Sequence, residues 1–341
     1  MSHRSSRSLW LGLLLGIAAC AAPVTETPKR SLDAWRTVTV GVANLDNALQ
    51  LWVDTFGFDI LARSAGPDEE LARLWGISPE DISRQALLHT RGQHAGLVHL
   101  VEFNDPGPPV RKDAQVFDLV PKNLDIYVDD LPRRFAELNA AGRTFRTESF
   151  SEVTAPDGTV FREIHMPSHD AINIVLLEVI GKQRPFTEKG FGGVGPLIYI
   201  VPDAPTEKAF VADVLGLDKL NDNLLKGPEI ERMIGLPPGA GLDVSIWGRL
   251  TNDFGDIEII EYQGVRGRNL YPAAVPKSLG VLHISYVTGD ASALLDRAAT
   301  AGTVVTPHGQ VSTMAASGFA YSFATPAGLR IYLYEDAKTT H

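Results

Sequence analysis

The sequence predicts an α+β fold built from four βαβββ modules, and three observations carry that prediction. Asn44 to Asp59 returns as Asp203 to Asp218 at a constant offset of 159, so that Asp54 meets Asp213, Gly57 meets Gly216 and Asp59 meets Asp218. The same offset lays Arg73-Leu74-Trp75-Gly76 on Arg232-Met233-Ile234-Gly235, and His99-Leu100-Val101-Glu102 on Glu258-Ile259-Ile260-Glu261. At offset 160, Asp130 through Gly142 returns as Asp290 through Gly302. Self-similarity at a fixed spacing marks a duplicated unit, here in the order A, B, A′, B′.

Taken in chain order, Arg4 and Arg7 precede an apolar stretch, Leu9 to Ala19, that is too short to span a bilayer. Ile17-Ala18-Ala19 then leads into Cys20, which resembles a bacterial lipobox, and lipidation at Cys20 is expected. Residues 1–19 read as a lipoprotein signal peptide and 20–36 as a tether rich in Pro and Thr. Residues 37–180 form the first module pair, 181–195 a polar, Gly-rich linker, and 196–335 the second pair.

Within each module an alternating strand comes first, such as Val38-Thr39-Val40-Gly41-Val42 or Leu282 to Val287. A helix follows, with apolar residues at helical spacing: Leu45, Leu49, Trp52, Val53 and Phe56 in one module, Leu131, Phe135 and Leu138 in another. It stops at a glycine, Gly57, Gly142, Gly216 or Gly302. Short strands then alternate with turns such as Pro156-Asp157-Gly158 and Pro326-Ala327-Gly328.

The chain has 341 residues, of which 44% are hydrophobic and 21% charged, as in globular proteins. Its net charge of -10, or -12 once Arg4 and Arg7 are removed, argues against a nucleic-acid partner, which needs a basic face. A single cysteine excludes an intrachain disulfide. No later segment reads as a membrane span, so membrane association is expected through the lipid anchor alone, on a bacterial cell envelope. The sequence sets no oligomeric state.

Four βαβββ modules with Asn44, Asp130, Asp203 and Asp290 ending their first strands resemble the vicinal oxygen chelate superfamily, which includes glyoxalase I, bleomycin-resistance proteins and extradiol dioxygenases. The run Ala48 to Phe58 is similar to that family's helix ending. The resemblance implies modules paired into two cup-shaped mixed-sheet halves, each cup holding a small ligand, often over a divalent metal. It also implies ligand positions seven residues before each Asx and in each last strand. Counted so, the first half offers Thr37, His99, Asn123 and Val175, and the second offers Pro196, Glu258, His283 and Tyr332. Neither half has three His or Glu. A metal on Glu258 and His283, completed by waters, is one expectation, with Fe, Zn, Mn or Ni as candidates. The alternative makes His283 a hydrogen-bonded strand residue and Glu258 a polar wall.

Strand alternation places Asp243, Ser245, Trp247 and Arg249 on one face. If that face points inward, Trp247 and Arg249 join Tyr332 in binding substrate in the second cup, with Glu258 as the catalytic group. Gly190 to Gly195 matches G-x-G-x-x-G but is followed by a strand rather than a helix, so it is not a dinucleotide loop. Pro167 between His165 and His169 argues against a helical metal pair. No G-x-S-x-G elbow occurs, and Cys20 is spoken for, so no nucleophile stands out by motif.

Three functional readings follow. The first is an envelope-anchored glyoxalase-like protein that binds a small oxygenated molecule, aromatic by preference, with or without a divalent metal. The second is a metal-dependent lyase, isomerase or extradiol-type dioxygenase. The third is a non-catalytic envelope interaction protein.

Overall fold

The computed structural model describes residues 32–336; the signal segment and Cys20 lie outside the described residues. Module A comprises β1 (Thr37–Val42), α1 (Leu45–Leu49), β2 (Asp59–Ala65), α2 (Glu69–Trp75), β3 (Ile82–His89) and β4 (Leu97–Phe103). Module B comprises β5 (Pro121–Val128), α3 (Leu131–Ala140), β6 (Ser151–Thr154), β7 (Val160–Pro167) and β8 (Asn173–Val179). Module A′ comprises β9 (Phe191–Ile200), α4 (Ala204–Phe210), β10 (Asp218–Lys226), α5 (Pro228–Ile234), β11 (Gly241–Gly248) and β12 (Ile257–Gln263). Module B′ comprises β13 (Gly280–Thr288), α6 (Ser292–Thr300), β14 (Thr306–Ser312), β15 (Ser317–Ala324) and β16 (Arg330–Glu335). Among the described residues no helix is long and apolar enough to cross a membrane.

The Asx residues end the first strands because they cap the helices. Asn44, Asp130 and Asp203 each accept a hydrogen bond from the backbone N–H three residues on, which satisfies a donor the helix cannot. Asp290 instead accepts from the N–H of Ser292, two residues on. A second anchor repeats in all four modules. A glutamate in the last strand, Glu102, Glu178, Glu261 or Glu335, accepts from the N–H of Leu45, Leu131, Ala204 or Ala291 at 2.6–3.1 Å. A carboxylate at a helix N-terminus also meets the positive end of the helix dipole. In both A-type modules the helix widens into a π-helical turn, Gln50–Thr55 and Val211–Leu215. The B-type helices α3 and α6 have no such turn.

Every module forms the same four-stranded sheet, with its first strand at one edge. Those edges pair antiparallel into two eight-stranded mixed sheets. The partners are exchanged relative to chain order. β1 pairs with β13 and β5 with β9, so A joins B′ and B joins A′. The expected grouping of residues 37–180 and 196–335 into one cup each is therefore corrected. We call the A/B′ sheet the outer cup and the B/A′ sheet the inner cup. The helix-facing side of both sheets is one continuous apolar core, including Val38, Val40, Leu124, Ile126, Tyr199 and Ile284.

The expected linker is corrected in part as well, since Phe191 to Gly195 already belong to the fully buried strand β9. A Cβ on Gly193 would lie 2.7 Å from the Phe254 ring, and one on Gly195 would lie 2.3 Å from the Tyr127 ring. These glycines permit close approach rather than flexibility.

Glu102→Ala removes a helix anchor whose side chain is 15% exposed, whereas Glu152 sits in a surface pair and is 55% exposed. Urea unfolding is expected to show a loss of about 1–2 kcal/mol for Glu102→Ala and under about 0.5 kcal/mol for Glu152→Ala.

Candidate functional site

On the floor of the outer cup, Thr39 of β1 pairs with His99 of β4 on one side and His283 of β13 on the other. With strands about 4.8 Å apart, the two histidine Cα atoms stand about 10 Å apart across Thr39. Thr37 pairs with Ser285, and Ser285 with Tyr332 of β16, so all six residues share one face. The Gln85 amide donates to Asp68 at 2.9 Å and turns its Oε1 toward His99 Nε2 at 2.8 Å. His99 therefore carries its proton on Nε2 and presents Nδ1 as a lone pair. Burial pushes the His99 pKa down to about 4, and Asp68 offsets this in part. His283 is also held well below its ordinary value, by burial first and then by the fields of His99 and Arg330. Four polar atoms of this floor, Thr37 Oγ1, Thr39 Oγ1, His99 Nδ1 and Ser285 Oγ, are buried with no hydrogen-bond partner.

Aromatic rings gather around His283. The Trp75 ring lies 5.6 Å from that of His283, and Tyr332 lies 4.6 Å from it on another side. Trp75 is carried by α2, which crosses the cup. Arg73 fastens α2 to the far hairpin through bonds of 2.8 Å to the carbonyls of His308 and Gln310. The repeat places α5 over the inner cup in the same way, with Arg232 bonded to Ser151 Oγ at 2.9 Å. The Arg73/Arg232 register seen in the sequence is the register of the two lids.

The inner cup differs in chemistry. Its A′ half is apolar, with Ile230, Met233 and Ile234 of α5 packed on Ile198, Ile200 and Ile260. Its B half is polar. Asn173 donates to Asn123 Oδ1 and to His165 Nδ1, each at 2.9 Å, and His165 Nε2 donates to Glu163 at 2.8 Å. Beside this chain lie Asp125 and Glu258. Burial raises both carboxyls, and the fields of neighbouring carboxylates add to it: Glu258 and Glu163 for Asp125, and Glu163 for Glu258, which rises to about 8. Asp125 Oδ1 and Asn173 Oδ1 are buried without partners.

No protein-family model matches this sequence, and no curated protein matches it. Among solved structures the chain is similar to glyoxalase I from Zea mays, at 16% identity over 90% of this chain and 94% of that one, with a TM-score of 0.60. It is also similar to a dioxygenase-type protein from Bacillus subtilis, at 13% identity over 90% of this chain and 86% of that one, with a TM-score of 0.58. The chain has the vicinal oxygen chelate fold.

The exchanged pairing redistributes the positions that the sequence resemblance singled out. The outer cup receives Thr37, His99, His283 and Tyr332, and the inner cup Asn123, Val175, Pro196 and Glu258. The proposed pair Glu258 and His283 is therefore split between two sheets, and His283 instead faces His99. Trp247 and Arg249 are corrected too. In the β11–β12 register Glu258 pairs with Ile246, while Trp247 pairs with Ile257 on the opposite face. Trp247 lies in the helix-side core and donates to Ser245 Oγ at 2.9 Å. Arg249 holds the carbonyls of Leu32 and Gly216, at 2.8 and 2.6 Å, and pairs with Asp218. Tyr332 lines a cup, but the outer one. His169 accepts from Trp52 Nε1 at 3.2 Å, apart from His165.

A divalent metal does not fit either set of positions. Of the inner set only Glu258 is a carboxylate. The outer supplies two imidazoles, with a phenol and a hydroxyl where further His or carboxylate ligands are wanted. Among the described residues no three His, Cys, Asp or Glu side chains converge to hold a metal ion. Sequence reasoning missed Gln85 and Asp68, which orient His99, and the inner-cup residues Lys122, Asp125 and Glu163. Strand alternation could have put Asp125 with Asn123, but not against Glu258.

The two buried groups titrate with opposite sign. Glu258 has a raised folded pKa, so it supports folding below pH 4.5, and that support is lost as pH rises toward 8. Relative to wild type, Glu258→Gln is expected to gain about 1–3 kcal/mol between pH 4.5 and 8. His99 has a lowered pKa, so wild type loses stability as pH falls from 6.5 to 4, a loss His99→Gln lacks. Urea unfolding free energies across pH check both, and parallel profiles for variant and wild type would refute them.

Proposed function

We propose that this chain is an envelope-anchored, glyoxalase-like protein that binds a small oxygenated, aromatic molecule in the outer cup without a resident metal. The observation that carries this reading is the row Thr37, Thr39, His99 and Ser285, four buried polar atoms without partners on one floor. Such atoms each cost about 1–3 kcal/mol when left unmatched, and they share a face that a ligand with hydroxyl or carbonyl oxygens would satisfy. Trp75, His283 and Tyr332 supply ring faces for an aromatic body. The similarity to glyoxalase I and dioxygenase structures supports a cup of this kind, at the level of the fold.

Binding is favoured over proton transfer by the basicity of His99. A general base works best with a pKa near the working pH, and a histidine held at about 4 is a weak acceptor. Its lone pair suits a ligand O–H donor. Entry requires α2 to lift, since His99 and Thr37 are fully buried beneath it.

Calorimetric titration with catechol and with benzoate tests the site. His99→Ala and His283→Ala are each expected to weaken binding at least about tenfold, or 1.4 kcal/mol, while Glu258→Gln leaves it unchanged. Loss of binding through Glu258→Gln alone would move the site to the inner cup. Stoichiometric uptake of Fe, Zn, Mn or Ni that enables catechol turnover would replace the metal-free reading by the metal-dependent one.

The envelope location rests on Arg4, Arg7, the apolar run and Cys20. Cys20→Ser is expected to shift the protein from the membrane fraction to the soluble fraction; an unchanged distribution would refute lipid anchoring.

A further inference from the structure

The inner cup contains a buried lysine that no carboxylate among the described residues pairs with directly; its ammonium lies 5.4 Å from the centre of the Tyr262 ring. Lys122 of β5 is 2% exposed. Buried lysines are normally ion-paired, yet among the described residues no carboxylate forms an ion pair with its Nζ. Its hydrogen bond goes to the Tyr262 hydroxyl, at 2.8 Å. Simple alternation would turn position 122 away from the cup face that Asn123 and Asp125 share. A β-bulge prevents this: β9 pairs Tyr199 with Pro121 and Ile198 with Asn123, leaving Lys122 as the extra residue. Bulges of this kind re-aim a side chain and are common beside active sites.

The duplication supplies an internal control. Between β1 and β13 the same irregularity occurs, with His283 and Val281 paired to adjacent residues and one residue left over. That residue is Leu282, which is position 122 shifted by the offset of 160. Leu282 is buried in the apolar core. The bulge therefore accepts leucine, and the lysine is not there to make it.

A second unmatched group lies beside it. Arg111 and Lys122 line one narrow cavity of about 10 Å³ whose other walls include Val110, Asp170, Ile172 and Val281. Arg111 Nη2 donates to the Gln115 carbonyl at 2.8 Å, and its Nη1 is buried without a partner. A buried amine beside a guanidinium with an unmatched nitrogen is complementary to a carbonyl carbon one bond away from a carboxylate.

We propose that Lys122 captures small 2-oxo acids as a Schiff base, with Arg111 holding the carboxylate. The neutral amine adds to the carbonyl carbon. A C–N bond forms, and the carbonyl oxygen takes up a proton to give a carbinolamine. Loss of that oxygen as water leaves the C=N bond, with no oxidant or reductant required. Tyr262 is placed at the nitrogen, and its phenol stays protonated because burial raises its pKa, so it can donate to the departing oxygen. Burial, with Arg111 and Arg146 nearby, lowers the amine to about 7 against the opposing fields of Glu163 and Asp125, which keeps much of it neutral and nucleophilic. The cavity holds about one water as it stands, so a 2-oxo acid enters only as its walls part.

Reductive trapping tests this directly. The full chain is incubated at pH 7.5 with pyruvate or glyoxylate and sodium cyanoborohydride, then read by intact mass and peptide mapping. One adduct per chain is expected, at Lys122, formed about 100-fold faster than at a lysine of ordinary pKa. Lys122→Leu, which copies the repeat's own residue, should keep its unfolding transition and lose that adduct. Arg111→Gln should slow trapping of pyruvate at least tenfold while leaving trapping of acetaldehyde, which has no carboxylate, unchanged. Adducts spread over other lysines at similar rates, no adduct at all, or equal labelling of Lys122→Leu would overturn the assignment. So would an Arg111→Gln variant that slows both carbonyl compounds alike.

Discussion

The antiparallel pairing of β1 with β13 and of β5 with β9 is the constraint from which the rest of the molecule follows. A four-stranded module ends on a first strand whose backbone donors and acceptors need a partner. Joining two such edges satisfies them and curves the combined sheet around a shared floor. The choice of partner decides which side chains meet on that floor. The connection between β8 and β9 spans 11 residues, and that between β4 and β5 spans 17. Loop-closure entropy distinguishes these by only about 0.4 kcal/mol, too little to select a partner. Side-chain complementarity carries more weight. Gly193 and Gly195 of β9 fit under Phe254 and Tyr127. Trp35, just before β1, bonds through its indole to the Asp256 carbonyl at 2.6 Å, and Arg36 N–H bonds to the Ser285 carbonyl at 2.8 Å.

One duplicated frame thus supports two unlike interiors. Helix caps, last-strand glutamates and lid arginines occur in both halves because each satisfies a backbone requirement of the module. The cup floors carry no such requirement and have diverged. His99 in one cup answers to Glu258 in the other, and Gln85 to Val244, so the network that fixes the His99 tautomer has no counterpart beneath α5. Where the outer floor is imidazole and hydroxyl, the inner floor sets carboxyls that burial keeps protonated beside a lysine that burial keeps partly neutral. Both arrangements avoid burying net charge, which is costly without close pairing.

The lids cover these floors. Trp75 and Ile234 sit at equivalent positions and close their cups with apolar surface, while Arg73 and Arg232 hold the helices to the opposite hairpin through carbonyl and hydroxyl acceptors. These bonds are few and lie at the exposed end of each helix. Most of each lid's attachment is apolar, through Leu71, Ala72, Leu74 and Trp75 of α2 and Ile230, Met233 and Ile234 of α5.

The sequence by itself determined the module: its repeat, the Asx residues Asn44, Asp130, Asp203 and Asp290 that end its first strands, the glycine stops and the last-strand positions of His99 and Glu258. These are local, set by backbone hydrogen bonding and side-chain periodicity within some sixty residues. It misjudged Gly190 to Gly195 as linker because a glycine kept for close packing looks the same in sequence as one kept for flexibility. It left the face of Trp247 and Arg249 undecided because alternation fixes which residues share a face, but not which face is covered by a helix. Only the tertiary structure decided that His283 meets His99 rather than Glu258, and that a bulge turns Lys122 into the inner cup. Edge strands of duplicated modules offer nearly identical backbones to one another, so their pairing is settled by contacts between residues far apart in the chain, which no local pattern records.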